Sequence, residues 1–343
     1  MDYDQFQKAQ KSDQVFTAHR IDQFCFIHGA HFPWKWTSYL CAQLGVLGFY
    51  LVKKERLKTI AHLTTAYGHE KSSREIFEMA RKVFYNLGRG AAELGIKLNA
   101  DTKTAYFSNV EVEGVEHAFR AVEEGKGIIM IIPHLGCWEA LPKAWTVLGV
   151  RGGAVGKPLK NEQLNNWVLK NREFNGFQVL PRGSSYKTIL QFLKQNNSLG
   201  MLIDQDTSVK GVFVDFFGKP AYTPIGAAML ALDTEAVVLT SIYVRTSGNR
   251  YKLICSKPIE TIRTGNREEE LQLNTERYQK AIEVEIKHYP EQWVWMHERW
   301  KTTPKMVSDK AHQKQAWRKK RRELKAEEIL AAPFIPRPAP GQL

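Results

Sequence analysis

The sequence predicts an α/β fold: a central mixed, largely parallel sheet flanked by helices, with an N-terminal helical, membrane-associating region. Three observations carry this. Short apolar runs such as IIMII (128–132) and SLGMLID (198–204) have the length and composition of fully buried strands. They alternate with segments of helical period, the rhythm of parallel strands joined by crossover helices. The chain has 343 residues, 43% apolar and 25% charged, enough to bury a sizeable core.

Residues 1–35 carry little periodic signal, and MDYDQFQKAQKSDQ is too polar for the core of a signal peptide. WTSYLCAQLGVLGFYLV (36–52) falls short of the ~18–20 apolar residues that span a bilayer, contains Gln43 and leads into KKER. It reads either as a buried core helix or as a helix lying on a membrane surface, with its basic residues at the headgroups. SSREIFEMARKVFYNLGRGAAEL (72–94) puts Ile76, Met79, Ala80, Val83, Phe84 and Leu87 on one helical face, with Ser72 and Glu75 at capping-box spacing.

From 110 the pattern changes. GVEHAFRAVEEGKG (114–127) is a helix closed by glycine, IIMII a buried strand and LPKAWTVLG a helix. GGAVGK starts a strand, NEQLNNWVLKNREFNG a helix, FQVLP a strand, SSYKTILQFLKQNN a helix and SLGMLID a strand. A Gly/Pro/aromatic loop leads into the helix IGAAMLALDT. The strands AVVLTSIYVR and RYKLICSKPI and the long helix NTERYQKAIEVEIKHYPEQW follow. This divides the chain into an N-terminal helical region (1–100), an α/β domain (101–305) and a basic, Pro-rich tail (306–343).

The net charge of +13 and pI of about 9.4 point to a polyanionic partner: nucleic acid, an anionic membrane surface or an acidic protein. Four scattered cysteines with no CxxC pair argue against a zinc site or a disulfide framework and fit a reducing compartment. No cofactor or metal is expected.

The chemistry concentrates at the ends of the predicted strands, where open α/β sheets place ligands. IIMIIPHLGCWE delivers His134, with Gly136 allowing a tight turn and Glu139 five positions later. An ionised Glu139 beside one imidazole nitrogen would fix the tautomer and leave the other as a general base. That is the base and orienter of a triad without a protein nucleophile, so a substrate hydroxyl would attack. The plainer alternative is a histidine that satisfies a loop carbonyl and a glutamate that caps a helix. Arg182 follows the strand FQVLP, where an arginine suits a phosphate or an oxyanion, or is simply a surface residue. Asp204 and Asp206 follow SLGMLI and suit either a metal or the bracing of basic loop residues. In WVWMHERWKTTP (293–304), Trp293 and Trp295 read as core, while Arg299 and Lys301 suit a surface that meets anionic groups.

Taken in order, PHLGCWE, PRGSS, GMLIDQD, FFGKPAYTPIGAAMLA and WVWMHERWKTTP resemble the bacterial lipid A biosynthesis acyltransferases, the late lauroyl and myristoyl transferases, from roughly residue 38 to 304. The resemblance implies an acyl-thioester donor, usually acyl carrier protein, and a glycolipid acceptor at the cytoplasmic side of a bacterial inner membrane, most simply a lipid A precursor. Relatives with the same core acylate mannosylated phosphatidylinositol. By the resemblance His134 and Glu139 are catalytic, and backbone N–H groups near 135–138 or a cation hold the oxyanion. Arg182, Lys157, Asp204, Asp206 and Arg299 bind substrate or support the site. Where the family commonly shows an arginine pair, this chain reads His297-Glu298-Arg299. The rivals are a hydrolase that uses the same dyad on water, and a non-catalytic protein that binds nucleic acid or anionic lipid through WRKKRRELK. The enzyme reading expects no nucleic-acid partner.

Overall fold

The computed structural model describes residues 24–27, 30–94, 107, 109–156, 161–163, 166, 177–181, 185–247 and 250–309. The chain divides into two compact units, Met1–Trp300 and Lys301–Leu343. The described part of the second is 301–309, helical over 304–309. The expected basic, Pro-rich tail lies outside the described residues from 310 on, as does most of the helix expected at 161–176.

The first unit opens on an antiparallel ribbon, β1 (Phe24–Ile27) and β2 (Ala30–Pro33), followed by α1 (Trp34–Leu51), α2 (Lys53–Tyr67) and α3 (Ser73–Leu94). The capping box at the start of α3 forms: Ser72 N donates to Glu75 Oε2 at 2.8 Å, and Glu75 N to Ser72 Oγ at 3.4 Å. α1 packs against α3 at backbone distance, since a Cβ on Gly45 would lie 2.2 Å from the Phe84 carbonyl oxygen. That close seat takes only one face. The other exposes Trp36, Leu40, Leu44, Leu47 and Leu51, each at least half accessible, so α1 is not a buried core helix.

Seven strands form the main sheet: β3 (Val110–Glu113), β4 (Ile128–Ile131), β5 (Gly152–Gly156), β6 (Phe177–Pro181), β7 (Ser198–Met201), β10 (Val237–Arg245) and β11 (Tyr251–Cys255). Their order is β3-β11-β10-β4-β7-β5-β6, and only the β10–β11 pair is antiparallel. α4 (Glu116–Glu123), α5 (Leu141–Val147), α6 (Tyr186–Lys194), α7 (Gly226–Asp233) and α8 (Arg267–His288) accompany it. β4 shows why its sequence is apolar throughout. Ile129 and Ile131 join the core shared with α3, α7 and α8, while Ile128 and Met130 join the core shared with α4 and α5.

The loop expected before IGAAMLALDT is instead a hairpin, β8 (Gly211–Phe216) paired with β9 (Lys219–Pro224). Its two central turn residues, Phe217 and Gly218, both have positive φ (53° and 73°), the backbone that two-residue hairpins favour. Phe at the first of these positions hides the turn from a Gly/Asn/Asp search. A buried ion pair ties α3 to β10: Arg245 meets both oxygens of Glu93 at 2.7 Å.

Candidate active site

The sheet register builds the site. β4 and β7 are parallel neighbours with Ile131 opposite Met201. Three residues beyond each stand His134 and Asp204, leaving the same edge of the sheet side by side. The His134 backbone N donates to Asp204 Oδ2 at 2.6 Å, and its Nδ1 lies 2.8 Å from Asp204 Oδ1. Trp293 Nε1 donates to Asp204 Oδ2 at 2.8 Å. Asp204 is fully buried, whereas the His134 side chain keeps 18% of its surface accessible. Burial opposes the charge on Asp204. The facing His134 and the three hydrogen bonds outweigh it and hold the carboxyl down at about 2. An ionised carboxylate can only accept, so in the neutral imidazole Nδ1 carries the proton and Nε2 the lone pair.

The histidine loop is pinned from both sides. Gly136 N donates to Gln292 O, Cys137 N to Tyr243 O, and Val294 N to His134 O, with Leu135 bridged to Trp293. Gly136 sits at φ +64°, and a Cβ there would fall 2.5 Å from the Tyr243 carbonyl oxygen. Gly136→Ala is therefore expected to cost at least ~1–2 kcal/mol of stability and to displace His134. Thermal unfolding with a parallel rate measurement checks this; an unchanged midpoint and rate would show that the loop has slack. Cys137 is buried, and burial pushes its thiol well up, so the loop carries no ready thiolate nucleophile.

The other candidate residues fall in different places. Glu139 is half-buried in the turn just before α5, outside the helix whose first turn it was expected to occupy. The carboxylate on His134 Nδ1 is that of Asp204, a residue first read as bracing the site or meeting substrate. Asp206 is half-buried in the same loop. Arg299 is fully buried and not at an anion-binding surface. Its guanidinium donates to Tyr222 O, Thr223 Oγ1 and Gln279 Oε1, clamping β9 to α8. Arg182 and Lys157 lie outside the described residues. Trp293 and Trp295 are core, as expected, and Trp293 also serves Asp204.

Two residues beside His134 have no role assigned by the sequence: Trp138, and His297, which there only marks a departure from the family's arginine pair. His297 packs its ring against His134, centroid to centroid 5.4 Å, and its Nε2 lies 2.6 Å from Gln205 Nε2. Burial, aided by the neighbouring His134, holds the His297 imidazole down at about 4, so it is neutral near pH 7. Trp138 packs on His134, ring centroids 5.7 Å apart. Among the described residues, no group of three or more His, Cys, Asp or Glu side chains is placed to hold a metal.

Known proteins resemble this chain in sequence. Phosphatidylinositol mannoside acyltransferase of Mycobacterium tuberculosis (strain CDC 1551 / Oshkosh) is 33% identical over 135 residues, 37% of this chain and 42% of that protein. The chain thus matches less than half the length of this mycobacterial relative. Lipid A biosynthesis palmitoleoyltransferase of Escherichia coli (strain K12) is 24% identical over 282 residues, 79% of this chain and 87% of that protein. The lauroyltransferase of the same strain is 26% identical over 274 residues, covering 77% and 85%. The model of one family matches residues 17–302, and on that match the chain belongs to the bacterial lipid A biosynthesis acyltransferases.

Proposed function

We propose that this protein moves a fatty acyl chain from an acyl thioester, carried by acyl carrier protein, to a hydroxyl of a membrane glycolipid, most simply a lipid A precursor. The observation that carries the reading is the Asp204–His134 pair, with Nε2 left as base and no thiolate beside it. His134 takes the proton of the acceptor hydroxyl while its oxygen attacks the thioester carbon. The imidazolium then returns the proton to the leaving thiolate, and Asp204 steadies the charge in between. A net charge of +13 favours both an acidic carrier and a phosphorylated acceptor. Arg182 and Lys157 are proposed for those anionic groups. The mycobacterial relatives keep a second acceptor in play, a mannosylated phosphatidylinositol. Mass spectrometry of lipids from cells with and without the gene decides between them. The expected result is a gain of one acyl group on a glycolipid, and identical lipid profiles would end the reading.

Glu139 is proposed as a supporting acid. Glu139→Gln is expected to slow transfer less than His134→Ala does, since it keeps an acceptor and loses only charge. Equal collapse of the two variants in one rate assay would mean that Glu139 is structural or that it and His134 act as a unit.

The site is proposed to work on the cytoplasmic side of the inner membrane, with α1 lying on the bilayer. No helix among the described residues is long and apolar enough to cross a membrane. α1 instead offers Trp36, Tyr39, Leu40, Leu44, Leu47, Tyr50 and Leu51 on one exposed side, followed by exposed Lys53 and Lys54. That pairs an apolar face with cations at headgroup level. Replacing both Leu44 and Leu47 by Glu removes two insertions worth ~1.5–3 kcal/mol each. Flotation with anionic phospholipid vesicles should show at least a tenfold loss of binding, and vesicle binding equal to wild type would place the contact elsewhere.

A further inference from the structure

Acyl transfer creates a charge that the histidine loop is poorly equipped to receive. When the acceptor oxygen adds to the thioester, the carbonyl oxygen becomes an oxyanion and needs a hydrogen-bond donor. The backbone N–H groups expected to supply it are largely occupied. Leu135 N donates to Pro133 O at 2.7 Å, Gly136 N to Gln292 O at 3.1 Å and Cys137 N to Tyr243 O at 2.6 Å. These same bonds hold the loop, so freeing them would release His134.

We propose that His297 is the oxyanion donor, giving an imidazole N–H to the thioester oxygen as the tetrahedral intermediate forms. Its ring packs edge-on against that of His134, centroids 5.4 Å apart, so a substrate that reacts at His134 meets His297 as well. The two histidines share one brace: His297 N donates to Val294 O, and Val294 N donates to His134 O. Their partners are consecutive residues with opposite consequences. Asp204 places a carboxylate on His134, which stabilises the imidazolium that a base becomes. Gln205 places an amide on His297, at 2.6 Å, and an amide does not stabilise an imidazolium in this way. With the amide N–H donating to Nε2, the His297 proton resides on Nδ1. Held neutral by burial, His297 does not compete for the proton that His134 must take. One imidazole is thus set as base and the other as a neutral electrophile.

The step balances within the acyltransferase reading, on which it rests. The acceptor O–H proton goes to His134 Nε2, the oxygen's electron pair forms the new C–O bond, and the carbonyl π pair moves to the oxygen facing His297. On collapse the C–S bond breaks, and the thiolate takes the proton back from His134.

The test uses the full chain with acyl carrier protein loaded with a fatty acyl thioester as donor and lipids extracted from cells lacking the gene as acceptor. His297→Phe keeps the ring packing and removes the N–H; His297→Gln keeps a donor. The Phe variant should lose ~10²–10³-fold in kcat with KM within threefold, the size of loss when one oxyanion donor is removed. The Gln variant should recover at least tenfold of that loss. A phosphonate analogue of the tetrahedral intermediate should bind the Phe variant at least thirtyfold more weakly. A non-reactive thioether analogue of the donor should bind it as it binds wild type. Phe-variant transfer at the wild-type rate, or equal weakening of both analogues, overturns the assignment. So does a Gln variant as slow as the Phe variant, which also covers a Phe variant that fails to fold. If wild type transfers no acyl group, the acyltransferase reading falls and takes this one with it; if wild type transfers and His297→Phe matches it, only the oxyanion role falls.

Discussion

His134→Ala is expected to lower acyl transfer by at least ~10²–10⁴-fold, the contribution of a positioned general base. The alternative donors of that rate are absent from the loop: the Cys137 thiol is buried and driven up, and Asp204 is sealed behind the imidazole with both oxygens hydrogen-bonded. The fold should survive. Most of the stability of β4 comes from Ile128–Ile131, buried on both sides of the sheet, and His134 lies beyond the strand on a partly accessible edge. The side chain contributes one hydrogen bond to Asp204, while the backbone N of residue 134 keeps its own bond to Oδ2 in the variant. The check is initial rate with a thioester donor beside a near-ultraviolet dichroism spectrum. A folded variant that transfers at the wild-type rate would remove His134 as the base.

Asp204→Asn should be almost as damaging, for two separable reasons. The carboxylate accepts from three donors: His134 N, His134 Nδ1 and Trp293 Nε1. An amide has one oxygen and one NH₂, so at least one of these donors meets another donor, a mismatch that costs ~1–3 kcal/mol when buried. If the NH₂ faces the imidazole, it drives the proton from Nδ1 to Nε2 and extinguishes the base. The comparable exchange in a hydrolytic triad costs about 10⁴ in kcat. We expect a loss of ~10²–10⁴-fold here as well. Stability carries a second signature. Asp204 titrates at about 2 in the folded chain, below the ordinary ~3.9 of the unfolded one. The charge therefore stabilises the fold above pH ~4, on the order of 2 kcal/mol, and this is lost as the pH falls through ~2. Wild type should shed that part of its stability across this window, and the Asn variant should not. Denaturant midpoints measured from pH 5 to 2 give the comparison; parallel curves for the two proteins would mean that Asp204 is not an ionised partner of His134.

Sequence periodicity was sufficient wherever a residue's environment follows from its near neighbours along the chain. Ile128–Ile131 announced a strand covered on both faces because four consecutive apolar residues have no solvent side. Ser72 and Glu75 announced the start of α3 because capping is a contact across three residues. The strand ending at His134 was visible in the same way. The β8–β9 hairpin was not, because its turn is made by Phe217 and Gly218 and its strands carry Pro and Lys alongside the aromatics.

The sequence by itself determined the α/β class, the place of His134 at a strand end and the basic character of the chain. Each of these is a local or additive property of the chain. Only the tertiary structure decided which carboxylate holds His134. Glu139 is five residues away and Asp204 seventy, yet the parallel register of β4 and β7 sets Asp204 beside the imidazole. It also turned Arg299 from a surface cation into a buried clamp and brought His297 to His134. Hydrogen bonds act over ~3 Å whatever the separation along the chain, and strand pairing is what converts distant numbers into such distances.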